Sequence, residues 1–428
     1  MARAVRTSFM MGSDLELEPF STTPQTLVSG SNAPFGLELG GKILGKFVSL
    51  MAVKLRCESG SKTKSVSAPE TPSAEGLFSK GRIIRNRGEI RMKAIVCTKY
   101  GPPDVLQLKE VEKPVSKDNE VLIKVHAASA NAYDWHMLRA DPFLVRLMGG
   151  GLLKPKNKIP GVDIAGRVEA VGRNVRQFQP GDEVFGDLSA CGNGGFAEYV
   201  SVPENAVALK PARMTFEEAA AVPMAAVTAL QGLRDKGQIQ PGQKVLINGA
   251  SGGVGTFAVQ IAKWFGAEVT GVCSTRNLDM ARSIGADKVI DYTQEDFTQN
   301  GQRYDLILAV NGYHPISAYK RALRPKGIYV MAGGSTAQIF QALLLGPWMS
   351  KTGSKKMGAL SAKPNQKDLV FIKELLEAGK VVPVIDRRYP LSEVAEAIRY
   401  LEEGHARGKV VITILPPTKP PSPRDFRA

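Results

Sequence analysis

From about residue 243 onward, the apolar positions of this chain switch between two periods. "QKVLING" (243–249) is a short aliphatic run with the length and texture of a buried parallel strand. After a cluster of glycines, Val254, Phe257, Ala258, Ile261, Ala262 and Phe265 recur at i, i+3, i+4, i+7, i+8 and i+11. That spacing predicts one face of an amphipathic helix, ended by Gly266. "AEVTGVC" (267–273) predicts the next strand, and the alternation continues. "DKVIDY" (287–292) and "YDLILAV" (304–310) read as strands, "PISAYKRALRPKG" (315–327) as a helix with a stop, and "IYVMAGG" (328–334) as a strand ending in glycines. Strands alternating with helices predict an α/β domain with a doubly wound parallel sheet. Ligands bind such sheets beyond the carboxyl ends of the strands, which makes Asn311 and Gly333 expected neighbours of a ligand.

Residues 92–214 have another rhythm. "EVLIKVHAASAN", "DIAGRVEAVG", "GDEVFGD" and "GGFAEYVSVPENAVALKP" are short strand-like runs with Gly, Pro or Asp turns every ten or so residues, the pattern of an all-β module. A last strand, "RGKVVITI" (407–414), follows the α/β region and is expected to rejoin that module.

The two ends differ from both. Residues 1–91 are rich in Ser, Gly, Thr and Pro, and "SGSKTKSVSAPETPSAEG" has the composition of a disordered linker. Only "GKILGKFVSLMAVKL" (41–55) has near-helical apolar spacing. A transit peptide is basic and poor in acids, yet "DLELEP" stands near the start. Three readings stay open: a targeting leader, a disordered tail, or translated sequence ahead of a start at Met92. A cytoplasmic location is expected, with mitochondrion or chloroplast as the alternative if the leader targets. "PPTKPPSPRDFRA" is a proline-rich tail that holds no regular element.

Composition narrows the class further. The 428 residues are 43% hydrophobic, and no apolar run reaches the roughly 18 residues of a transmembrane helix, so stable membrane insertion is not expected. Cys57, Cys97, Cys191 and Cys273 are far apart with no CxxC pair, against a disulfide framework or a cysteine-rich zinc module. The net charge of +15 comes without a long basic run or an RNA-binding signature, so nucleic acid is not the expected partner. A basic surface still attracts smaller anions, phosphorylated cofactors among them.

The glycine cluster names such an anion. Ala250-x-Gly252-Gly253-Val254-Gly255 lies between a predicted strand and a predicted helix, the context that makes a glycine fingerprint specific for dinucleotides. Small residues let a diphosphate approach the backbone, where helix N–H groups and the helix dipole hold it. NAD-binding chains carry an acid about 20 residues on, for the ribose 2′-OH. Here "CSTRN" (273–277) has none, whereas Ser274 and Arg276 suit a 2′-phosphate, so NADPH is the expected cofactor.

Taken in order, "MKAIV", "NAYDWHMLR", "PGVDIAGRVEAVG", "QPGDEVFG", "GGFAEYV", "ASGGVG", "GADKVIDY" and "GHARGKVVI" resemble the medium-chain dehydrogenase/reductase superfamily over 92–414, in its zinc-free quinone oxidoreductase branch. The resemblance implies a GroES-like β domain with a nested Rossmann domain and a cleft between them. The expected division is a leader at 1–91, the GroES-like domain at 92–214 completed by 363–414, the Rossmann NADPH-binding domain at 215–362, and the tail at 415–428. It places Ser251, Gly252, Gly253 and Val254 at the diphosphate, Ser274 and Tyr292 at the adenosine end, and His405, Ala406 and Arg407 over the cofactor. Zinc relatives have a cysteine where Asn131 stands and a histidine where Val162 stands, so no metal site is expected.

Without a Lewis acid, hydride delivery to a quinone or an enone is the simpler task, the protein supplying orientation and a dry cleft. Asn131, Tyr133 and Asp134 are the catalytic candidates on the loop that faces the nicotinamide in relatives. The first two are candidate hydrogen-bond donors to the developing oxyanion, and Asp134 is read as an anchor of that loop. The insert 140–158 is either a lid over the substrate or packing on the β module. Rival readings are a zinc-free alcohol or aldehyde reductase, or a non-catalytic dinucleotide-binding partner protein. A homodimer is left open.

Overall fold

The computed structural model describes residues 90–141, 146, 151–334 and 336–415. The leader up to 89, the tail from 416 and most of the centre of the insert 140–158 lie outside the described residues, and so do the expectations attached to them.

The β-rich half contains β1 (Arg91–Val96), β2 (Gln107–Glu112), β3 (Glu120–Ala130), β4 (Asp163–Val171), β5 (Glu183–Asp187), β6 (Tyr199–Pro203) and β7 (Val207–Leu209). β1 and β2 form a two-stranded antiparallel ribbon. The main sheet runs β14-β15-β3-β4-β5-β7, with β6 also on β3, where β14 is Ile385–Pro390 and β15 is Lys409–Thr413. β15 pairs antiparallel with β3 (Val410 opposite Ala130), so the last strand does return to the β module. Inside the sheet Val121, Ile123 and Val125 of β3 are fully buried with Ile164 and Val184, the period-2 pattern of strands with a covered face.

The α/β half has a six-stranded sheet in the order β10-β9-β8-β11-β12-β13, every pair parallel. These strands are β8 (Lys244–Asn248), β9 (Glu268–Cys273), β10 (Lys288–Asp291), β11 (Tyr304–Ala309), β12 (Leu323–Met331) and β13 (Lys356–Ala359). The order reverses at β8 and β11, the switch point at which doubly wound sheets bind ligands. The helices are α1 (Ala132–Arg139), α2 (Phe216–Ala220), α3 (Pro223–Gln231), α4 (Gly253–Trp264), α5 (Leu278–Ser283), α6 (Ile316–Ala322), α7 (Thr336–Lys351), α8 (Gln366–Glu377) and α9 (Val394–Glu402). The α4 residues Phe257, Ala258, Ile261 and Ala262 are fully buried, as their spacing predicts.

One element is shorter than its pattern. The helix expected over 315–327 stops at Ala322, and Leu323 already pairs with Tyr304 before the register shifts to Ile328 opposite Leu306. Pro325 cannot continue a helix, and Lys326 takes a left-handed φ of 64°.

The two halves share a core. Ala127, Ala165, Phe185 and Val411 of the antiparallel sheet lie in one buried cluster with Leu230 of α3, Phe257 of α4 and Ile372 of α8. An isolated parallel bridge, Gly252 to Gly408, joins the glycine turn to the start of β15. That bridge brings the two halves together at the candidate site.

Candidate functional site

The glycines after β8 differ in why they are glycine. Gly249 turns the chain with φ 87°, and α4 begins at Gly253 with Gly252 as its N-cap and no side-chain cap. The first N–H groups of the helix therefore face outward unsatisfied by a capping side chain, the arrangement that receives an anion. A Cβ on Gly252 would meet only the Gly249 carbonyl, at 3.7 Å, so the space over the turn is open. On Gly255 it would lie 2.0 Å from the Gly249 carbonyl, so that glycine packs helix against strand. On Gly253 it would meet Lys409 Cδ at 3.0 Å, so a side chain there displaces Lys409 as well as any ligand. Ser251 is half-buried beside the turn, and Val254 packs its side chain into the sheet core, leaving only its backbone for a ligand.

At the far end of the crevice, Ser274, Thr275, Arg276, Tyr292 and His405 line a single pocket. Residues from the ends of β9 and β10 and from the "GHARGK" segment thus meet, although His405 is more than a hundred positions from the others. Arg276 Nη2 donates to the His405 carbonyl at 2.9 Å, and Arg407 Nη2 donates back to the Arg276 carbonyl at 3.3 Å. The Arg407 amide is held by Asp386 Oδ2 at 2.8 Å, while Ala406 packs on the core of the β module. Tyr292 is largely exposed. Gly333 sits where β12 ends, and a Cβ there would fall 2.4 Å from the Val310 carbonyl. Asn311 turns its own oxygen to the Gly312 amide. Open backbone donors, a hydroxyl and a guanidinium along one crevice fit the phosphates of a dinucleotide.

The catalytic candidates stand on the opposite lip, at the start of α1. Asp134 Oδ2 accepts from the Asn131 amide at 2.8 Å and closes the first turn, as an anchor would. The Asn131 side chain is committed inward. Its Nδ2 donates to Asp163 Oδ2 at 2.9 Å and to the Ser129 carbonyl at 3.4 Å, and its Oδ1 accepts from Lys409 Nζ at 2.5 Å. That corrects the expectation of an Asn131 amide facing the substrate. Tyr133 is half-buried and hydrogen-bonded to the Asn193 side chain, and burial with the nearby Asp134 and Asp187 charges pushes its phenol up to about 12, so it stays protonated at neutral pH.

Beneath them lies a charge cluster that spacing does not reveal. Lys409 Nζ is 3.2 Å from Asp163 Oδ2, and the two side chains are 3% and 0% exposed. Asp163 also receives Ser129 Oγ at 3.0 Å and the Met224 amide at 2.9 Å. Asp187 faces Asp163 across β4 and β5. Burial raises the Asp134 carboxyl to about 7, with the Asp163 charge adding to it, and Asp134 Oδ1 is buried without a hydrogen-bond partner among the described residues. Burial and Asp163 likewise raise Asp187. Asn277 was missed too: it is buried between Ser251 and Ser274. The only signal for Lys409 was a lysine opening an apolar strand, in a sequence where a fully buried lysine needs a partner.

A catalytic zinc does not fit this arrangement. Val162 is fully buried and has no ligand atom, the Asn131 amide is spent on Asp163 and Lys409, and an ammonium stands beside it. Among the described residues no group of three or more His, Cys, Asp or Glu could hold a metal ion, and no helix is long and apolar enough to cross a membrane.

Known proteins share this organisation. Residues 117–212 match the alcohol dehydrogenase GroES-like domain, and residues 284–412 match the zinc-binding dehydrogenase family. The chain is 34% identical over 333 residues to the chloroplast envelope quinone oxidoreductase homolog of Arabidopsis thaliana, covering 75% of this chain and 98% of the relative. It is 37% identical to 2-methylene-furan-3-one reductase of Solanum lycopersicum, covering 76% and 80%. It is 35% identical to the mitochondrial NAD(P)H oxidoreductase RTN4IP1 of Mus musculus, covering 76% and 89%. Among solved structures, the quinone oxidoreductase from Coxiella burnetii superposes with a TM-score of 0.68 at 30% identity, over 76% of this chain and all of the other.

Proposed function

The chain belongs to the medium-chain dehydrogenase/reductase superfamily as a quinone-reductase-like NAD(P)H-dependent oxidoreductase, and from that premise we propose that it is a zinc-free, NADPH-dependent reductase of quinones or α,β-unsaturated carbonyls. The observation that carries the cofactor choice is the pocket of Ser274, Arg276, Tyr292 and His405, which has a hydroxyl and a guanidinium where NAD enzymes hold an acid. The observation that carries zinc independence is Lys409 seated between Asn131 and Asp163, with Val162 beside them.

When bound, NADPH supplies the hydride. The α4 N-terminus and the open space over Gly252 would hold its diphosphate, and Ser274 with Arg276 would hold the 2′-phosphate. Lys409 and Asp163 fix Asn131 at the N-cap of α1, and Asp134 closes the first turn of that helix, which carries Tyr133, so the expected loop is a helix start. The Tyr133 hydroxyl then donates a hydrogen bond to the acceptor oxygen as negative charge develops there. Relatives named for quinone and for methylene-furanone reduction support an electron-poor acceptor. Relatives named for chloroplast and mitochondrion support the organellar alternative for the leader, which imaging of residues 1–91 fused to a reporter tests.

The functional test is NADPH and NADH consumption by the full chain over quinones, enones, aldehydes and alcohols, with and without a chelator. Turnover of quinones or enones with NADPH, unaffected by the chelator, is expected. Chelator inactivation reversed by zinc would overturn the metal-free reading, and turnover confined to aldehydes or alcohols would overturn the acceptor.

A further inference from the structure

Asn277 is held in place by several contacts. It is 4% exposed at the start of α5, and its backbone amide donates to the Ser274 carbonyl at 2.9 Å, which closes the turn Thr275–Asn277. Its Nδ2 lies 3.2 Å from Ser251 Oγ and 3.1 Å from Ser274 Oγ. One amide therefore touches both the serine of the glycine turn and the serine at the end of β9, which makes these two hydroxyls neighbours. Its Oδ1 is buried and has no partner among the described residues.

A hydroxyl has one proton to donate and lone pairs that accept. When Asn277 gives an N–H to a serine oxygen, that serine's own proton must point elsewhere. Ser251 and Ser274 are both half-buried at the crevice, and Ser274 lines the pocket with Arg276. A phosphate oxygen at neutral pH chiefly accepts hydrogen bonds, so a serine held this way is poised to donate to it. The opposite orientation of the amide would satisfy Oδ1 with the two serine protons, turn both hydroxyls inward, and leave two N–H groups buried unpaired.

We propose that Asn277 is a positioning residue that sets Ser251 and Ser274 as outward-facing donors, one toward the diphosphate and one toward the 2′-phosphate, and so determines phosphate affinity at both. The Ser274 arm rests on the NADPH reading above, and the Ser251 arm needs only a dinucleotide. Without the amide, each serine can turn its proton to water or to a neighbouring carbonyl, and the phosphate loses a charge-assisted bond.

The test uses the cofactor-free full chain and two probes, adenosine 2′,5′-bisphosphate and ADP, with dissociation constants measured by calorimetry and thermal melts run alongside. Asn277→Ala is expected to weaken the bisphosphate about tenfold, the scale of one hydrogen bond to a charged group. In a Ser274→Ala background the same change should cost clearly less than in the parent, because one of the two hydroxyls it aims is gone and only the Ser251 arm, toward the 5′-phosphate, remains. ADP should behave likewise with Ser251→Ala as the background. Asn277→Asp keeps the shape but can only accept from the serines, and should weaken both probes more than alanine does. Equal effects of Asn277→Ala in each parent and its serine-deleted background would overturn the inference, since that is what a merely structural residue gives. Full affinity in Asn277→Asp would overturn it too, by showing that the serines donate inward. A wild-type chain that binds ADP with no gain for the bisphosphate would refute the NADPH reading instead, and the ADP cycle would then decide the Ser251 arm alone.

Discussion

Lys409→Met is the sharpest perturbation of the site. Lys409 and Asp163 are an ion pair at 3.2 Å with both side chains almost fully buried, so neither charge can fall back on water. Removing one partner of such a pair costs about 3–5 kcal/mol, because the other is left as an uncompensated buried charge. Asp163 keeps three donors here, Ser129 Oγ, Asn131 Nδ2 and the Met224 amide, which places the cost near the lower end, about 3 kcal/mol. With a urea slope of about 3 kcal/mol/M, the unfolding midpoint should fall by about 1 M. Adding Asp163→Asn removes the stranded charge and keeps an oxygen for Ser129 Oγ and Asn131 Nδ2, although its NH2 then faces the Met224 amide, so the double variant should recover part of the loss. Urea unfolding of the cofactor-free chain at pH 7, followed by circular dichroism, reads all three variants. If Lys409→Met shifts the midpoint by less than about 0.3 M (about 1 kcal/mol on that slope), or if the double variant is no better than the single one, the pair does not hold the site together.

Other outcomes follow from the same geometry. Gly252→Val should abolish NADPH binding with an unchanged melt, since a Cβ there enters open space, whereas Gly253→Val should also lower stability by pushing Lys409; equal melts for the two would show that Lys409 does not pack on the turn. Arg276→Ala should weaken NADPH by about 10- to 100-fold and leave NADH nearly unchanged in a fluorescence titration, and equal loss of both would refute the 2′-phosphate clamp. The Asp134 carboxyl is raised to about 7 from about 3.9 in an unfolded chain, so between those values the folded state holds more protons and stability falls as pH rises. Asp134→Asn should therefore flatten the decline in urea midpoint from pH 5 to pH 7.5, and an identical pH slope in the variant would argue against a neutral carboxyl.

Much of this was legible because it is local. The strand, glycine turn and helix over 243–265 declare themselves through a change of period within about twenty residues, and a fingerprint inside one βαβ unit needs no distant partner. Ser274 and Arg276 were read from the end of the next strand and Tyr292 only from the family resemblance; the ends of adjacent parallel strands bring the three into one pocket. The end of the helix at Ala322 was missed because Pro325 acts on the residues before it as well as on itself. Asn131 was misjudged for another reason: sequence says which groups a side chain has, and long-range packing says which way they face.

A buried amide is useful to a substrate only if its hydrogen-bonding groups are left over after the protein has used them. Both protons and the oxygen of Asn131 are already engaged, by Ser129 two residues away, Asp163 from β4 and Lys409 from β15. Two of these partners come from strands that meet β3 only in the folded sheet. The same pairing seats Gly408 against Gly252 and lays the Lys409 stem over Gly253. Lys409 therefore touches the glycine turn proposed for the diphosphate and Asn131 at the N-cap of the helix that carries Tyr133, and so links the two. A hydride transfer needs its reacting groups held at a set distance. Here a lysine, an aspartate and an asparagine hold the start of that helix through hydrogen bonds.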